Sequence, residues 1–344
     1  MAARIAAVFA ALALCVSFTA RANAQVDIPT PIAQLQAALA SVPNYAPGHV
    51  ALEIKDLATG YTEGVNANAI MPAASTIKIP IMVEVFKQME KGKFDFNRHV
   101  HLQAGDRDWG SGDIAGAPIG SGYSVSYLLT KMITVSDNTA ANMLIRLVGR
   151  SNINATMANL GLHHTHLADY IRTEEYSVRR TLRTTPADMV KLLSDMAKHS
   201  LIDEWSSNEM ISILERQEIN TLLPVPLPDD VLIAHKTGSF SDTLNDVGIV
   251  FGPEPYVIAV MTTDLPSLSS GRTFIHHISK LAYNRMTQLG KWRTANGLDE
   301  QISADAAAAS RAAQGSQQDT DDGTSDLPMW GAQPVSSPAP AATP

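Results

Sequence analysis

Strand-like patterning lies at the two ends of this chain's foldable stretch, with a long helical middle between them. His49 to Leu57 alternates, with Val50, Leu52 and Ile54 on one face, and Tyr61 to Val65 returns after a turn at Ala58-Thr59-Gly60. β-Branched apolar runs come back only at Val231 to Lys236, Asp246 to Phe251 and Tyr256 to Thr263. Between the two groups the apolar spacing is helical, over Ser75 to Lys91, Val125 to Met132, Thr139 to Val148, Ile153 to Leu160 and Pro186 to His199. Pro186 suits a first helical turn, where its missing N–H costs nothing. Helical stretches at Pro31 to Val42 and Thr273 to Leu289 flank the whole. A lone two-stranded hairpin is not stable in water, so the early strands must join the late ones in one sheet. The pattern predicts an α/β plus all-α fold: an antiparallel sheet flanked by helices, with an inserted helical lobe. The α/β lobe is expected over about 25–73 and 220–295 and the helical lobe over about 74–219. The cleft between two such lobes is a favoured place for a substrate.

The ends of the chain read differently. Arg4, the apolar run Ile5 to Phe18 and the small-residue step Ala22-Asn23-Ala24 form a secretory signal over residues 1–24, with cleavage expected near Ala24. The apolar run is too short to span a bilayer, so no stable membrane insertion is expected after cleavage. Residues 296–344 are expected to be a disordered tail, Ala-rich, then acidic, then Pro-rich, because such a composition cannot offset its own ordering entropy. Cys15 is the only cysteine and lies inside the signal, which excludes a thiol nucleophile, a cysteine zinc site and an internal disulfide from the mature chain. The export signal points to a periplasmic or secreted protein, expected to be a monomer. The formal charge is −8, and no basic run is long enough to neutralise a phosphate backbone, so no nucleic-acid partner is expected.

Three short motifs carry chemistry: Ser75-Thr76-Ile77-Lys78, Ser136-Asp137-Asn138 and Lys236-Thr237-Gly238. Ser and Lys three apart on a helix share one face. A serine hydroxyl becomes a good nucleophile when a base takes its proton, and lysine serves as that base once desolvation or a second cation lowers its pKa. Lys236 can supply the second cation. Met71-Pro72-Ala73-Ala74 places Ser75 at a helix start, where free N–H groups favour an oxyanion. Ser136 can relay a proton to a leaving nitrogen, and Asn138 both donates and accepts, as an amide substrate requires. After the strand-like run to Ala234, Lys236 and Thr237 can hold a carboxylate, Gly238 permits close approach, and the Ser239 amide can join that of Ser75 as oxyanion donors. The catalytic set is therefore Ser75, Lys78, Ser136 and Lys236, and the substrate-binding set Asn138, Thr237, Gly238 and Ser239.

This motif set resembles the class A β-lactamases and penicillin-binding proteins. Ser136-Asp137-Asn138-Thr139-Ala140-Ala141-Asn142, and Lys236-Thr237-Gly238-Ser239 followed by Asn245-Asp246 and an apolar strand, carry the likeness, which covers about Ile32 to Leu289. It implies a serine acylated by a β-lactam or by a cell-wall peptide, no cofactor, and a hydrolase acting on small molecules. A penicillin-binding-type peptidase or esterase on the same scaffold is the alternative, and a non-catalytic cell-wall peptide-binding module a third. The family's Glu-x-x-Leu-Asn loop, whose glutamate activates the deacylating water, has no clear match. The corresponding stretch, Leu167 to Pro186, holds Glu174 and Glu175, readable either as that base or as two solvated carboxylates. An ion pair between Asp169 and Arg183 is expected to close this loop. His163-His164-Thr165-His166 lacks the partners of a zinc site and is read as a polar loop. His235 is assigned no role, since it alternates away from Lys236.

Overall fold

The computed structural model describes residues 30–173 and 182–303. The signal expected over residues 1–24, Glu174 and Glu175, and the residues beyond 303 lie outside the described residues. Among the described residues, those up to Asn296 form one unit, and those from Gly297 to residue 303 belong to a second.

The chain opens with helix α1, Thr30–Ala40, and the strands β1, His49–Asp56, and β2, Thr62–Val65. A two-residue strand β3, Met71–Pro72, leads into a 3₁₀ turn, Ala74–Ile77, and helix α2, Lys78–Glu90. The helical region continues with α3, Val125–Thr134, α4, Asn138–Val148, α5, Arg150–Asn159, α6, Pro186–Ala197, and α7, Glu204–Glu215. Short strands β4, His99–His101, and β5, Gly122–Ser124, pair with each other, and β6, His166–Leu167, and β7, Leu182–Thr184, join β3. Then come β8, Leu232–Phe240, β9, Thr243–Phe251, β10, Tyr256–Thr263, and the closing helix α8, Leu268–Ala295.

The main sheet runs β2-β1-β10-β9-β8, and its pairings are antiparallel. The early hairpin does join the late strands: Leu52 pairs with Val260 on one side and Val65 on the other. The alternation of β1 decides its packing. Val50, Leu52 and Ile54 share a buried core with Leu35 and Leu39 of α1 and with Phe274, Ile275 and Ile278 of α8. Val247, Ile249, Val257 and Ala259 point the other way, into a core built with α2, α3, α4 and α6. Burying each such side chain contributes about 1.5–3 kcal/mol, which is what fixes the register of a sheet covered on both faces. The helices start where their caps say. Asp137, Thr185, Asp203 and Ser267 each accept a backbone N–H of the first turn.

Three local expectations change. Ser75 is not in the α-helix; it sits in the preceding 3₁₀ turn, and the α-helix begins at Lys78. Lys236-Thr237-Gly238-Ser239 does not follow a strand but forms its second half, because β8 continues to Phe240 in register with β9. Asp169 does not pair with Arg183. Its carboxylate lies 3.2 Å from Arg150 at the start of α5, while Arg183 pairs through its backbone with His166 and Pro72.

Candidate active site

Ser75 is held by its neighbours rather than by its helix. Ala74 takes a left-handed conformation (φ 47°), which turns the chain sharply from β3 into the 3₁₀ turn. Asn245 Nδ2 on β9 donates to the carbonyls of Pro72 and Ala73, at 2.8 and 3.3 Å, and its Oδ1 accepts from Thr262 N at 3.0 Å. One side chain thereby staples the serine turn to two strands. From the other side β8 comes so close at Gly238 that a Cβ there would fall 3.0 Å from Ser75 N and from Ala73 O. Glycine is needed for that approach. Within this turn Ser75 is half-buried, whereas Ala73, Ala74, Thr76, Ile77 and Lys78 are buried.

Both lysines are fully buried, and both reach Ser136. Lys78 Nζ donates to Ser136 O at 2.6 Å, to Ser136 Oγ at 3.0 Å and to Asn138 Oδ1 at 2.6 Å. Lys236 Nζ donates to the same Ser136 Oγ at 3.1 Å and to Thr237 O at 2.9 Å. Burial, then the charge of Lys236, holds Lys78 well below the ordinary lysine range, against the opposing pull of Asp137 and Asp108. Burial pushes Lys236 down to about 7, opposed by Asp246. A hydroxyl has two lone pairs and one proton. Ser136 Oγ can accept from both ammonium groups and keep its own proton for a third partner, or pass that proton to whichever lysine is neutral.

Ser136 reaches this position through a left-handed backbone (φ 59°), an uncommon conformation for a non-glycine residue that its surroundings over-determine. Asp137 caps α4 by accepting from Ala140 N at 2.7 Å and also accepts from Asp113 N and Ile114 N at 2.8 and 3.0 Å. Ser111 O accepts from Asn138 N at 3.0 Å. Asn138 is a strut as much as a binder. Its Oδ1 takes Lys78, and its Nδ2 donates to Asp108 Oδ1 at 2.8 Å. Burial works to raise the Asp108 pKa, but hydrogen bonds from Thr173, Asn138 and Gly110 outweigh it and hold the carboxyl below its usual range.

These groups border an open cleft of about 280 Å³. Ser75, Ser136, Asn138, Thr237, Gly238 and Ser239, all singled out by sequence, line it, and the two lysines lie behind its wall. Sequence reasoning missed Ser111, Thr173, Thr221 and Arg272, which line it too. Gly110-Ser111-Gly112 was a legible turn signal, but nothing local pointed to Arg272, which arrives from α8. Among the described residues, Arg272 is the one charged side chain lining the cleft, and no Asp or Glu does so. Thr173 is clasped by Asp108, whose Oδ2 accepts its N–H at 2.7 Å and whose Oδ1 accepts its hydroxyl at 2.8 Å. The His163–His166 tract lies elsewhere: His164 N and the Thr165 hydroxyl donate to Asp188, at 3.0 and 2.8 Å. His235 is buried beside Asp246, behind the segment that carries Thr221.

The arrangement joins a half-buried serine, two desolvated amines and a bridging hydroxyl at one polar cleft. It can move a proton from a nucleophile to a leaving group without drawing on bulk water. A model of the β-lactamase enzyme family matches residues 33–286. A β-lactamase of Streptomyces fradiae is 28% identical over 244 residues, covering 67% of this chain and 79% of that one. Among solved structures, a mutant of PBP-A in an acyl-enzyme complex with penicillin G matches with a TM-score of 0.69 at 27% identity, over 76% of this chain and 97% of that one. A β-lactamase from Sphaerobacter thermophilus matches with a TM-score of 0.68 at 28% identity, over 74% and 98% of the two chains.

Proposed function

Since the chain belongs to the β-lactamase enzyme family, we propose that it is a class A-like serine β-lactamase that opens the β-lactam amide by acylating Ser75. The observation that carries this reading is the Ser136 hydroxyl, set 3.0 and 3.1 Å from the Nζ atoms of two buried lysines at the lip of the serine's cleft. Lys78 in its neutral form takes the Ser75 proton as Oγ attacks the carbonyl carbon. The oxyanion develops against the amides of Ser75 and Ser239. As the C–N bond breaks, Ser136 gives its proton to the ring nitrogen and recovers one from Lys78, so the proton leaving Ser75 is returned. Lys236 keeps Lys78 deprotonated and Ser136 oriented. Thr237, Ser239 and the exposed Arg272 hold the substrate carboxylate.

The test is incubation with a penicillin, peptide mass spectrometry of the adduct, and steady-state turnover of a chromogenic cephalosporin. A mass increment on another serine, or full activity in Ser75→Ala, would overturn the assignment.

A second reading has its own support. No carboxylate lines the described part of the cleft, and a serine that acylates without a base for its water behaves as a penicillin-binding-type peptidase. Thr173, which lines the cleft, is followed directly by Glu174, and this adjacency favours turnover. Burst kinetics separate the two, since a stalled acyl-enzyme releases one product equivalent and then little more. Glu174→Gln and Glu175→Gln should each be compared with the wild type. Export to the periplasm or medium, with cleavage near Ala24, and a monomeric state complete the reading. N-terminal sequencing of the exported protein and its elution volume test them.

A further inference from the structure

The segment 217–223 between α7 and β8 has neither helix nor strand, yet it brings Ile219, Thr221 and Leu222 to the cleft. Side chains hold it from several directions. Gln217 Nε2 donates to Ile133 O at 3.0 Å, and its Oε1 accepts from Ile219 N at 3.0 Å. From α8, Ser279 Oγ donates to Leu223 O at 2.7 Å, and His276 Nε2 lies 2.9 Å from Thr221 O. Asp246 Oδ2 accepts from Leu223 N at 3.0 Å. At the centre His235, 1% exposed, sets Nδ1 2.9 Å from Asp246 Oδ1 and Nε2 2.9 Å from Asn220 Oδ1.

The partners dictate what the ring must do. A carboxylate at Asp246 can only accept. Asn220 commits its Nδ2 to Gln217 O at 2.9 Å, so its Oδ1 faces the ring, and turning the amide over would set two oxygens against each other. Both ring nitrogens therefore face side-chain oxygens, and the ring bridges β9 to the irregular segment. Asp246 is the carboxylate bonded to the ring, and Lys236, next along β8, sends its ammonium to Ser136 instead. The seat for the ring is built into the sheet. Gly248 is the register partner of His235, and a Cβ on it would fall 2.6 Å from His235 Cβ.

A buried polar network whose members all find partners rigidifies one arrangement. We propose that the His235–Asp246 pair is the positioning device of the cleft wall 219–222, the ring holding Asn220 while the carboxylate holds Leu223. The wall adjoins Thr237 and Arg272, so the device governs how tightly the substrate is held and not the proton transfers at Ser75. The inference rests on the β-lactamase reading only for the choice of substrate in the kinetic arm.

The test uses the full chain. Asn220→Ala removes the outer bond at an exposed residue, and His235→Asn keeps a donor near Asp246 while losing Asn220. Each should raise KM for a penicillin about tenfold, with kcat changed less than about threefold, the size expected for one hydrogen bond. The double variant should be no worse than either single one, because both remove the same bond. In Asn220→Ala the methyl resonances of Ile219 and Leu222 should shift. Unmoved wall methyls, or effects that multiply in the double variant, overturn the device. Shifted methyls in a protein that never acylates with penicillin would instead overturn the function and leave the device standing.

Discussion

Asn142 holds Ile171 by both of its backbone groups, accepting from Ile171 N at 2.8 Å and donating to Ile171 O at 3.0 Å. The same Nδ2 donates to Asp106 O at 3.0 Å, so one buried amide on α4 fixes two loops. Asp106 is in turn clamped through both oxygens by Arg146, at 2.8 and 2.9 Å. Asn142→Ala would take away the partner of Ile171 N and of Asp106 O, and leave Ile171 O with only a 3.4 Å contact to Arg172 Nη1. We expect a loss of about 2–4 kcal/mol, read as a lower urea midpoint at unchanged slope. The segment 171–173 leads into Glu174, so the variant should slow release of the acyl group more than its formation. Equal loss in both steps would show that the staple serves folding alone.

Gly238→Ala tests the approach of β8 to the serine turn. The added methyl meets Ser75 N and Ala73 O at 3.0 Å and Ala74 Cβ at 3.1 Å, and backbone atoms give way poorly. The expected cost is about 1–3 kcal/mol of stability from overpacking. Acylation should fall about 10²-fold, since a shift of about 1 Å in a reacting group is enough for that. Stopped-flow acylation by a chromogenic cephalosporin measures it. A variant with native acylation would place the oxyanion donors elsewhere.

The titration of Lys236 makes stability depend on pH in a stated direction. Its folded value is about 7 and its ordinary value 10.5. Between these the unfolded chain binds the proton and the folded one does not, so stability rises with pH across that window. Below about 7 both states are protonated, and the full cost of burying the charge is felt. Lys236→Met should remove this rise. Urea midpoints at pH 7 and pH 9 should differ more in the wild type than in the variant. The same slope in both proteins would refute the assignment. Acylation should weaken as pH falls, because Lys78 acts as base only when neutral.

Lys236 and Arg272 should separate cleanly by substrate. Lys236 is 0% exposed and spends its donors on Ser136 and Thr237, whereas Arg272 is exposed at the cleft. Arg272→Ala should raise KM for a penicillin about tenfold, the worth of a charge-assisted bond, and leave a small neutral ester almost untouched. Lys236→Ala should lower kcat for both substrates. If Lys236→Ala spares the ester and Arg272→Ala does not affect penicillin, the carboxylate is held by the lysine after all.

The residue types that can do this chemistry were legible in order along the chain, because Ser75, Lys78, Ser136, Asn138 and Lys236 to Ser239 fall in short contiguous motifs. Periodicity also found the five strands of the main sheet and most helices, since alternation of two and repetition near 3.6 are local properties, whereas the two- and three-residue strands β3 to β7 are too short to show a period. It missed α7, whose start at Asp203 carried a cap but whose polar first turn hid the apolar stripe of Met210, Ile211 and Leu214. It could not choose Arg150 over Arg183 as partner of Asp169, because a surface ion pair depends on which helix end passes nearby. Arg272 was out of reach for the same reason.

What the sequence by itself determined is the inventory: a hydroxyl nucleophile, two amines, a relay hydroxyl, and the alternation that lets a sheet carry helices on both faces. What only the tertiary structure decided is how these groups act on one another. Lys78 and Lys236 are ordinary lysines until the fold closes over them: burial depresses both pKa values, and the charge of Lys236 depresses that of Lys78 further. His235 looked idle because alternation turns it away from Lys236, and its work appears only where Asp246 and Asn220 meet it from β9 and from an irregular segment. Side-chain identity is written locally, but desolvation, proximity and hydrogen-bond partnership are properties of positions in space.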